Sequence, residues 1–310
     1  EDKNTAAGQE VANKVKEGKI TQEEATKELT QAKEANFAEL IRNSKIGYLA
    51  LLRNLRNIVK STSDKQLIKD TCRLLTDEKF IRTALVFPHQ IDLASEILLQ
   101  EFSSSEISEL VKALDKAYEL SIPNLTELFT SGRTAIVYDG SGSMGTPIKV
   151  NKHSGSESAL NKAALIAATL AKGIGGDVYE FSNNAQRVSY NPMDSINSLK
   201  KLFIKAAQGG GTYFGSIFST LDGAYERIFV ISDMQGADDI SRESSFQAYK
   251  KNHGIDPHIY SIDLCGYGNT MFKGNRVYQL LGYSAEIYEL IKKVEIDPKA
   301  LIKEIEAIEI

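Results

Sequence analysis

The stretch TAIVYDGSGSMGTP, residues 134–147, decides the fold class of this chain. Its apolar run at 135–138 is typical of a buried strand, and Asp139 stands directly at the end of that run. Glycines then alternate with Ser141 and Ser143, so the chain leaves the strand through a tight turn that carries two hydroxyls. A strand that delivers a carboxylate and two hydroxyls at its end predicts a ligand site at the edge of a sheet.

The pattern on either side of this stretch divides the chain into two parts. After it, strand-like runs such as DVYEFS (177–182), RIFVISD (227–233) and HIYSIDL (258–264) alternate with helical runs, which predicts a doubly wound, mostly parallel sheet. Before it, apolar residues recur at helical spacing, and TQEE (21–24) forms a capping box. The predicted fold is therefore α plus α/β, with an antiparallel helical (HEAT-like) array at 1–129, an α/β domain at 130–296 and a final helix at 297–310 that packs on the array.

Two further loops are expected at the same sheet edge as Asp139. One is GGGT, which ends on Thr212 and precedes a helix, and the other closes the strand RIFVIS with Asp233. All these side chains offer hard oxygen ligands, which suit Mg²⁺, Mn²⁺ or Ca²⁺. The predicted metal ligands are Asp139, Ser141, Ser143, Thr212 and Asp233.

This set of residues, in this order, resembles the metal-ion-dependent adhesion site of the von Willebrand factor A domain. The resemblance covers about residues 133–295. It implies that the serine and threonine hydroxyls contact the metal and that the aspartates act directly or through water. It also implies one coordination position for a ligand carboxylate, such as an acidic side chain of a protein partner.

The helical part carries a basic stretch at 42–82. This stretch contains ten basic and four acidic residues, which gives a local charge of +6 in a chain with a net charge of −4. Arg53, Arg56 and Lys60 fall on one helical face opposite the leucines, so an exposed stripe is expected. Such a stripe attracts phosphates, although charge alone slightly favours an ordinary solvated face. The predicted RNA-binding residues are Arg42, Lys45, Arg53, Arg56, Lys60, Lys65 and Lys69.

A second resemblance favours RNA over an ordinary solvated face. The segments IGYLALLRNLRNIVKSTSD (46–64), DEKFIRTALVFPHQIDLASEIL (77–98) and LVKALDKAYELSIPNL (110–125), followed by the A domain, resemble the TROVE module of the Ro autoantigen family. The helical part is shorter than the ring of that family. The resemblance implies an RNA-binding ribonucleoprotein component that takes small noncoding (Y-like) RNA and the single-stranded ends of misfolded RNA.

Composition and missing motifs indicate where the protein is located and whether it is an enzyme. No apolar run is long enough to cross a membrane, and the two distant cysteines, Cys72 and Cys265, are typical of free thiols in a reducing compartment, so a cytoplasmic protein is expected. No hydrolase elbow or phosphate-binding lysine motif appears, so the chain is not expected to be an enzyme. The alternative function is a metal-dependent protein-adhesion module that binds no RNA.

Overall fold

The computed structural model of the 310-residue chain describes residues 6–103, 105–127, 129, 132–149, 156–236, 240–282, 285–297, 299, 300, 303 and 306. The chain forms two compact units, one of Glu1–Val86 with Gln90–Ser121 and the other of Phe87–His89 with Ile122–Ile310. The predicted domain boundary at 129/130 lies a few residues later and stays a prediction. The predicted final helix at 297–310 lies largely outside the described residues.

The amino-terminal part is helical, as the 3.6-residue periodicity predicts. Its capping box is present, because the Thr21 side chain accepts from the Glu24 amide and the Glu24 side chain accepts from the Thr21 amide. The sequence did not predict the first helix, whose segment is short and polar. The helices are α1 (Ala6–Lys16), α2 (Gln22–Arg42), α3 (Tyr48–Ser61), α4 (Lys65–Leu75), α5 (Glu78–Thr83), α6 (Pro88–Glu101) and α7 (Ser108–Thr126).

Helix α3 shows why these helices pack and leave their charges outside. Leu51, Leu55 and Ile58 are fully or almost fully buried, whereas Arg53 and Lys60 are exposed. The Tyr48 hydroxyl donates to the Leu75 carbonyl at 2.7 Å, which ties the start of α3 to the end of α4. The apolar stripe thus anchors the helix, and the charged stripe faces solvent.

Helix α7 continues past a proline. A helix is expected to end or kink at Pro123, yet α7 runs to Thr126 with Pro123 inside it. Proline removes its own amide donor but does not prevent the residues after it from being helical. Leu125 is fully buried beside Gly173, and the Thr126 hydroxyl donates to the Gly173 carbonyl at 2.9 Å. Packing of this last turn outweighs the proline penalty.

The second unit contains a six-stranded sheet in the order β5-β4-β1-β6-β7-β8, parallel except for β5. This architecture confirms the predicted fold class. A short hairpin of β2 and β3 follows the first loop and was not predicted. The strands are β1 (Thr134–Asp139), β2 (Pro147–Lys149), β3 (Ser156–Ser158), β4 (Asp177–Phe181), β5 (Ala185–Val188), β6 (Arg227–Ser232), β7 (His258–Asp263) and β8 (Val277–Leu281).

Helices follow most of the strands, and the sheet has one switch point. The helices are α8 (Ala159–Ile174), α9 (Ile196–Ala206), α10 (Gly215–Thr220), α11 (Ile240–His253) and α12 (Ala285–Ile296). From β1 the chain first adds β4 on one side and later adds β6 on the other side. In open α/β sheets the strand ends at such a reversal open a crevice for ligands. Asp139 ends β1 and Asp233 follows β6, so both carboxylates lie at the switch point.

A buried ion pair attaches α12 to the sheet. Arg227 at the start of β6 pairs through two nitrogens with Glu295, and both side chains are almost fully buried. Removing Glu295 would leave the buried charge of Arg227 without the carboxylate that it pairs with. We expect Glu295→Ala to lower the free energy of unfolding by about 3–5 kcal/mol, measured by urea unfolding followed by circular dichroism.

The matched control for this ion pair is the double variant Arg227→Met/Glu295→Leu, which removes both charges and keeps the volume. It should recover most of the stability, because an apolar pair often replaces a buried ion pair at little cost. A double variant as unstable as Glu295→Ala would contradict this account.

Candidate metal centre

The first loop holds Asp139 in a buried position at the end of β1. The Ser141 amide donates to Asp139 Oδ1 at 2.8 Å, and the Ser232 hydroxyl donates to Oδ2 at 2.6 Å. The hydroxyl oxygens of Ser141 and Ser143 lie 3.2 Å apart. The three predicted ligands of this loop therefore form one cluster of oxygen atoms.

Two backbone hydrogen bonds join the second loop to the first. The Gly142 amide donates to the Gly210 carbonyl at 2.9 Å, and the Gly209 amide donates to the Gly140 carbonyl at 2.8 Å. These bonds bring the segment that ends on Thr212, whose side chain is buried, up to the Asp139 turn. Gly140 is required here, because a Cβ at this position would lie 2.2 Å from the Glu180 carboxylate.

The third loop is connected to the first through Ser232, which precedes Asp233 and was not among the predicted ligands. Its hydroxyl donates to Asp139 and accepts from the Met234 amide at 2.9 Å, so one side chain spans both strand ends. Asp233 is buried, and its Oδ1 accepts from the Gln235 amide at 3.0 Å. The only sequence signal for Ser232 is its place directly before Asp233 at the end of a strand.

The electrostatics of this cluster favour a cation. Burial raises the pKa of Asp139 to about 6, hydrogen bonds from Ser141 and Ser232 oppose that rise, and the nearby charge of Asp233 adds to it. Within the described ranges, neither carboxylate is in ion-pair contact with a lysine or an arginine. Two buried carboxylates at one strand-end cluster are costly without a positive charge beside them.

The donor set fits a hard divalent cation. Asp139, Ser141, Ser143, Thr212 and Asp233 would hold it through oxygen, and Mg²⁺ keeps its remaining positions for water or an external oxygen ligand. The metal assignment and the identity of the ion stay predictions. When bound, the ion would supply a positive charge and an open coordination position; the protein side chains hold it and keep its surroundings partly dry.

The affinity for Mg²⁺ should depend on pH. A proton competes with the cation for Asp139, and the pKa of that carboxyl is raised to about 6. We therefore expect the affinity to be constant near neutral pH and to fall about tenfold for each pH unit below about 6. Isothermal titration with MgCl₂ at a series of pH values measures this, and an affinity that stays flat down to about pH 5 would contradict it.

The structure places acidic partners against four of the seven predicted RNA-binding residues. Arg56 and Lys60 both pair with Glu101, which lies 45 positions from Arg56 in the sequence. Arg42 pairs with Asp64 at 2.8 Å and Asp70 at 3.6 Å, and Lys45 lies 3.7 Å from Glu39. These contacts are at the surface, so each neutralises only part of the positive charge. The stripe of Arg53, Arg56 and Lys60 is thus less basic than its sequence indicates.

The other three predicted residues, Arg53, Lys65 and Lys69, are exposed, and none has an acidic partner among the residues that the structure describes. Arg73, which sequence analysis counted but did not select, has the same properties. Lys65, Lys69 and Arg73 are spaced by four residues on α4 and so share one side of that helix. We call these three residues the α4 stripe.

The α4 stripe borders a cleft of about 450 Å³. Lys65, Ile68 and Lys69 line one wall, and residues 105–110, which lead into α7, line the other. Glu106 and Glu109 also line this cleft, so its positive charge is concentrated on the α4 side. The spacing of Lys65 and Lys69 was visible in the sequence, whereas the facing segment was not.

Comparison with known proteins supports the fold. No protein-family model matches the sequence, and no curated protein matches it significantly. The crystal structure of the Deinococcus radiodurans Ro (RSR) protein matches with a TM-score of 0.67 and 18% identity, over 83% of this chain and 55% of that one. An uncharacterized membrane spanning protein from Vibrio fischeri also matches, with a TM-score of only 0.22, 16% identity and coverage of 57% of this chain and 99% of that one.

Within the described ranges, no helix has both the length and the apolar character that crossing a bilayer needs. The chain spans about half the length of the Deinococcus protein, and over that part the fold predicted from the TROVE and A-domain resemblance is confirmed. This chain therefore has the fold of an Ro protein.

Proposed function

We propose that this protein binds RNA as a ribonucleoprotein component and carries a divalent cation in its α/β unit. The observation that carries the proposal is the fold, which matches the Deinococcus Ro protein over 83% of this chain. The α4 stripe and Arg53 support it, because exposed cations without acidic partners are free to neutralise phosphates. Arg42, Lys45, Arg56 and Lys60 would add to the positive field from their partly neutralised positions.

The proposed RNA ligands are small noncoding RNA of the Y type and the single-stranded ends of misfolded RNA. Regularly spaced cations on one helix side can follow a phosphate backbone, and such contacts position an RNA without selecting its sequence. Both cysteines are free thiols, which supports a reducing, cytoplasmic location.

The proposed cation is Mg²⁺, with Mn²⁺ or Ca²⁺ as alternatives, and its role is binding rather than turnover. Catalysis would need a nucleophile or a base poised beside the metal. In the described part of the chain, the hydroxyls of Ser141 and Ser143 contact each other and the Ser232 hydroxyl is committed to Asp139. Incubation of the protein with RNA and Mg²⁺ should therefore yield no cleavage products.

A salt series tests the RNA proposal. A labelled RNA hairpin with a single-stranded 3′ tail is titrated with the full chain in EDTA, and binding is followed by fluorescence anisotropy. With about three phosphates neutralised by the α4 stripe, the logarithm of the affinity should fall with the logarithm of the salt concentration with a slope of about −2 to −3. Binding that is absent, or that does not respond to salt, would overturn the proposal.

The second candidate function is a metal-dependent protein-adhesion module. The oxygen-bearing side chains at the carboxyl edge of the sheet favour it, because a cation there could take a partner's acidic side chain as its last ligand. A glutamate-containing peptide that binds in Mg²⁺ and not in EDTA, together with no RNA binding in the salt series, would favour this candidate over the first.

A further inference from the structure

Two exposed aromatic residues in the described part of the chain belong to loops next to those of the candidate metal centre. Of the phenylalanine and tyrosine side chains in the described ranges, Tyr213 and Tyr267 are exposed, at 45% and 51%. Tyr213 directly follows Thr212, and Tyr267 lies in the loop after β7, the strand next to β6 and Asp233. Both rings therefore belong to loops at the carboxyl edge of the sheet.

The Tyr267 loop is held in one conformation by Asp263. The Asp263 carboxylate accepts from the amides of Cys265, Gly266 and Gly268 at 2.8–3.0 Å. Gly266 and Gly268 have φ of 77° and 71°, a backbone region that favours glycine, so Tyr267 stands between two turn residues. Three hydrogen bonds brace this loop, and a braced loop lowers the entropic cost of binding a ligand.

A side-chain contact joins this loop to the metal-site loop. Asn269 Nδ2 donates to the Met234 carbonyl at 3.1 Å, and Met234 directly follows Asp233. The position of Tyr267 is thus fixed relative to the candidate ligand Asp233.

Tyr213 is fixed in a similar way. Its amide donates to the Ser182 carbonyl at 2.9 Å, and its carbonyl accepts from the Ser216 hydroxyl at 2.7 Å. The ring lies against Gly211, where an added Cβ would be 3.1 Å from a ring carbon. The GGGT loop therefore presents a ring to solvent directly beside the candidate ligand Thr212.

A cation site flanked by fixed aromatic rings matches the chemistry of single-stranded RNA. Mg²⁺ in proteins is commonly held by one or two carboxylates together with phosphate oxygens of the ligand. Single-stranded nucleic acids bind where bases can stack on aromatic side chains. The basic helical surface offers charge without rings, because Tyr48 is buried and Phe80 is half-buried.

We propose that the carboxyl edge of the sheet is a second RNA-binding surface, where bases stack on Tyr213 and Tyr267 and a backbone phosphate completes the coordination of the cation. This inference rests on the proposed RNA binding and on the candidate metal centre. It assigns single-stranded segments to the sheet edge, in addition to the phosphate contacts on the α4 stripe.

A short unstructured oligoadenylate, labelled and titrated with the full chain in Mg²⁺, tests this surface. The variant Tyr213→Ala/Tyr267→Ala should weaken its binding roughly 5- to 100-fold, since each lost ring removes a stacking platform. The variant Tyr213→Phe/Tyr267→Phe keeps the rings and should bind within about twofold of the parent. Met193→Ala is the matched control, because Met193 is 85% exposed and follows β5, whose end faces the opposite edge of the sheet.

Three results would overturn the proposal. The double alanine variant could bind the oligoadenylate as tightly as the parent, or the double phenylalanine variant could bind it as weakly as the double alanine variant. The parent could also bind it with equal affinity in Mg²⁺ and in EDTA. If binding of a glutamate-containing peptide requires both tyrosines and binding of the oligoadenylate does not, the sheet edge binds a protein partner. That result would also overturn the proposal.

The charge-reversed variant Lys65→Glu/Lys69→Glu/Arg73→Glu separates this proposal from the proposed function. If charge reversal leaves RNA affinity unchanged and Tyr213→Ala/Tyr267→Ala lowers it, RNA binds at the sheet edge and not on the α4 stripe. If charge reversal lowers RNA affinity and Tyr213→Ala/Tyr267→Ala has no effect, RNA binds on the α4 stripe and not at the sheet edge.

Discussion

Asp139→Ala should abolish the stabilisation of this protein by Mg²⁺. Asp139 is fully buried and contacts the Ser141 amide and the Ser232 hydroxyl, so its loss removes a predicted ligand and also the link between two loops. In the parent, Mg²⁺ at 100 times its dissociation constant should stabilise the folded state by about 2.7 kcal/mol. For a unit of this size that corresponds to a rise of roughly 5–10 °C in the melting temperature, measured by differential scanning calorimetry with Mg²⁺ and with EDTA.

The matched control for Asp139→Ala is Asp263→Asn, a buried aspartate at the end of β7, two strands away from β1 in the sheet. Its carboxylate is occupied by three loop amides, so this variant should lose stability in both conditions and still respond to Mg²⁺. An Asp139→Ala protein that keeps the full Mg²⁺ response would show that the ion binds elsewhere.

Reversal of the α4 stripe should have the largest effect on RNA affinity. The variant Lys65→Glu/Lys69→Glu/Arg73→Glu changes the local charge by six units on one exposed helix side and leaves the buried residues Leu67, Leu74 and Leu75 untouched. We expect the affinity for the tailed hairpin to fall at least about 100-fold at low salt, with a much flatter salt dependence. Equilibrium titrations at matched ionic strength measure both quantities.

The control reverses charges on α3, whose basic stripe the sequence alone would select as the RNA-binding surface. Arg56 and Lys60 already contact Glu101, so Arg56→Glu/Lys60→Glu removes cations that are partly neutralised and adds repulsion with Glu101. This variant should weaken RNA binding less per charge changed than the α4 variant does. Equal losses of affinity per charge would show that the ion pairs with Glu101 open when RNA binds. An α4 variant that binds RNA as tightly as the parent would show that the α4 stripe does not contact RNA.

The sequence predicts the parts of this molecule whose causes are local. Alternating strand and helix patterns give the layered α/β fold. The Thr21 and Glu24 capping box is another local signal, because four consecutive residues contain all its hydrogen bonds.

Features that depend on distant residues could not be predicted in this way. Glu101 reaches Arg56 and Lys60 only after α3 and α6 are folded, so a charge pattern read along α3 overestimates the basic surface. Helix α7 passes Pro123 because Leu125 is buried beside Gly173. Ser232 joins Asp139 to the Asp233 loop across 93 positions of sequence, and no motif marks that contact in advance.

Photocrosslinking of a 4-thiouridine-labelled, tailed hairpin to the full chain in Mg²⁺, with the crosslinked peptides identified by mass spectrometry, locates the bound RNA on the protein. We expect crosslinks in the segment 65–73 that disappear in high salt, because phosphate contacts on the α4 stripe hold the RNA there. We also expect crosslinks at Tyr213 or Tyr267 from the single-stranded tail. A protein that yields no crosslinks above background, or crosslinks only outside both regions, would show that neither surface binds RNA.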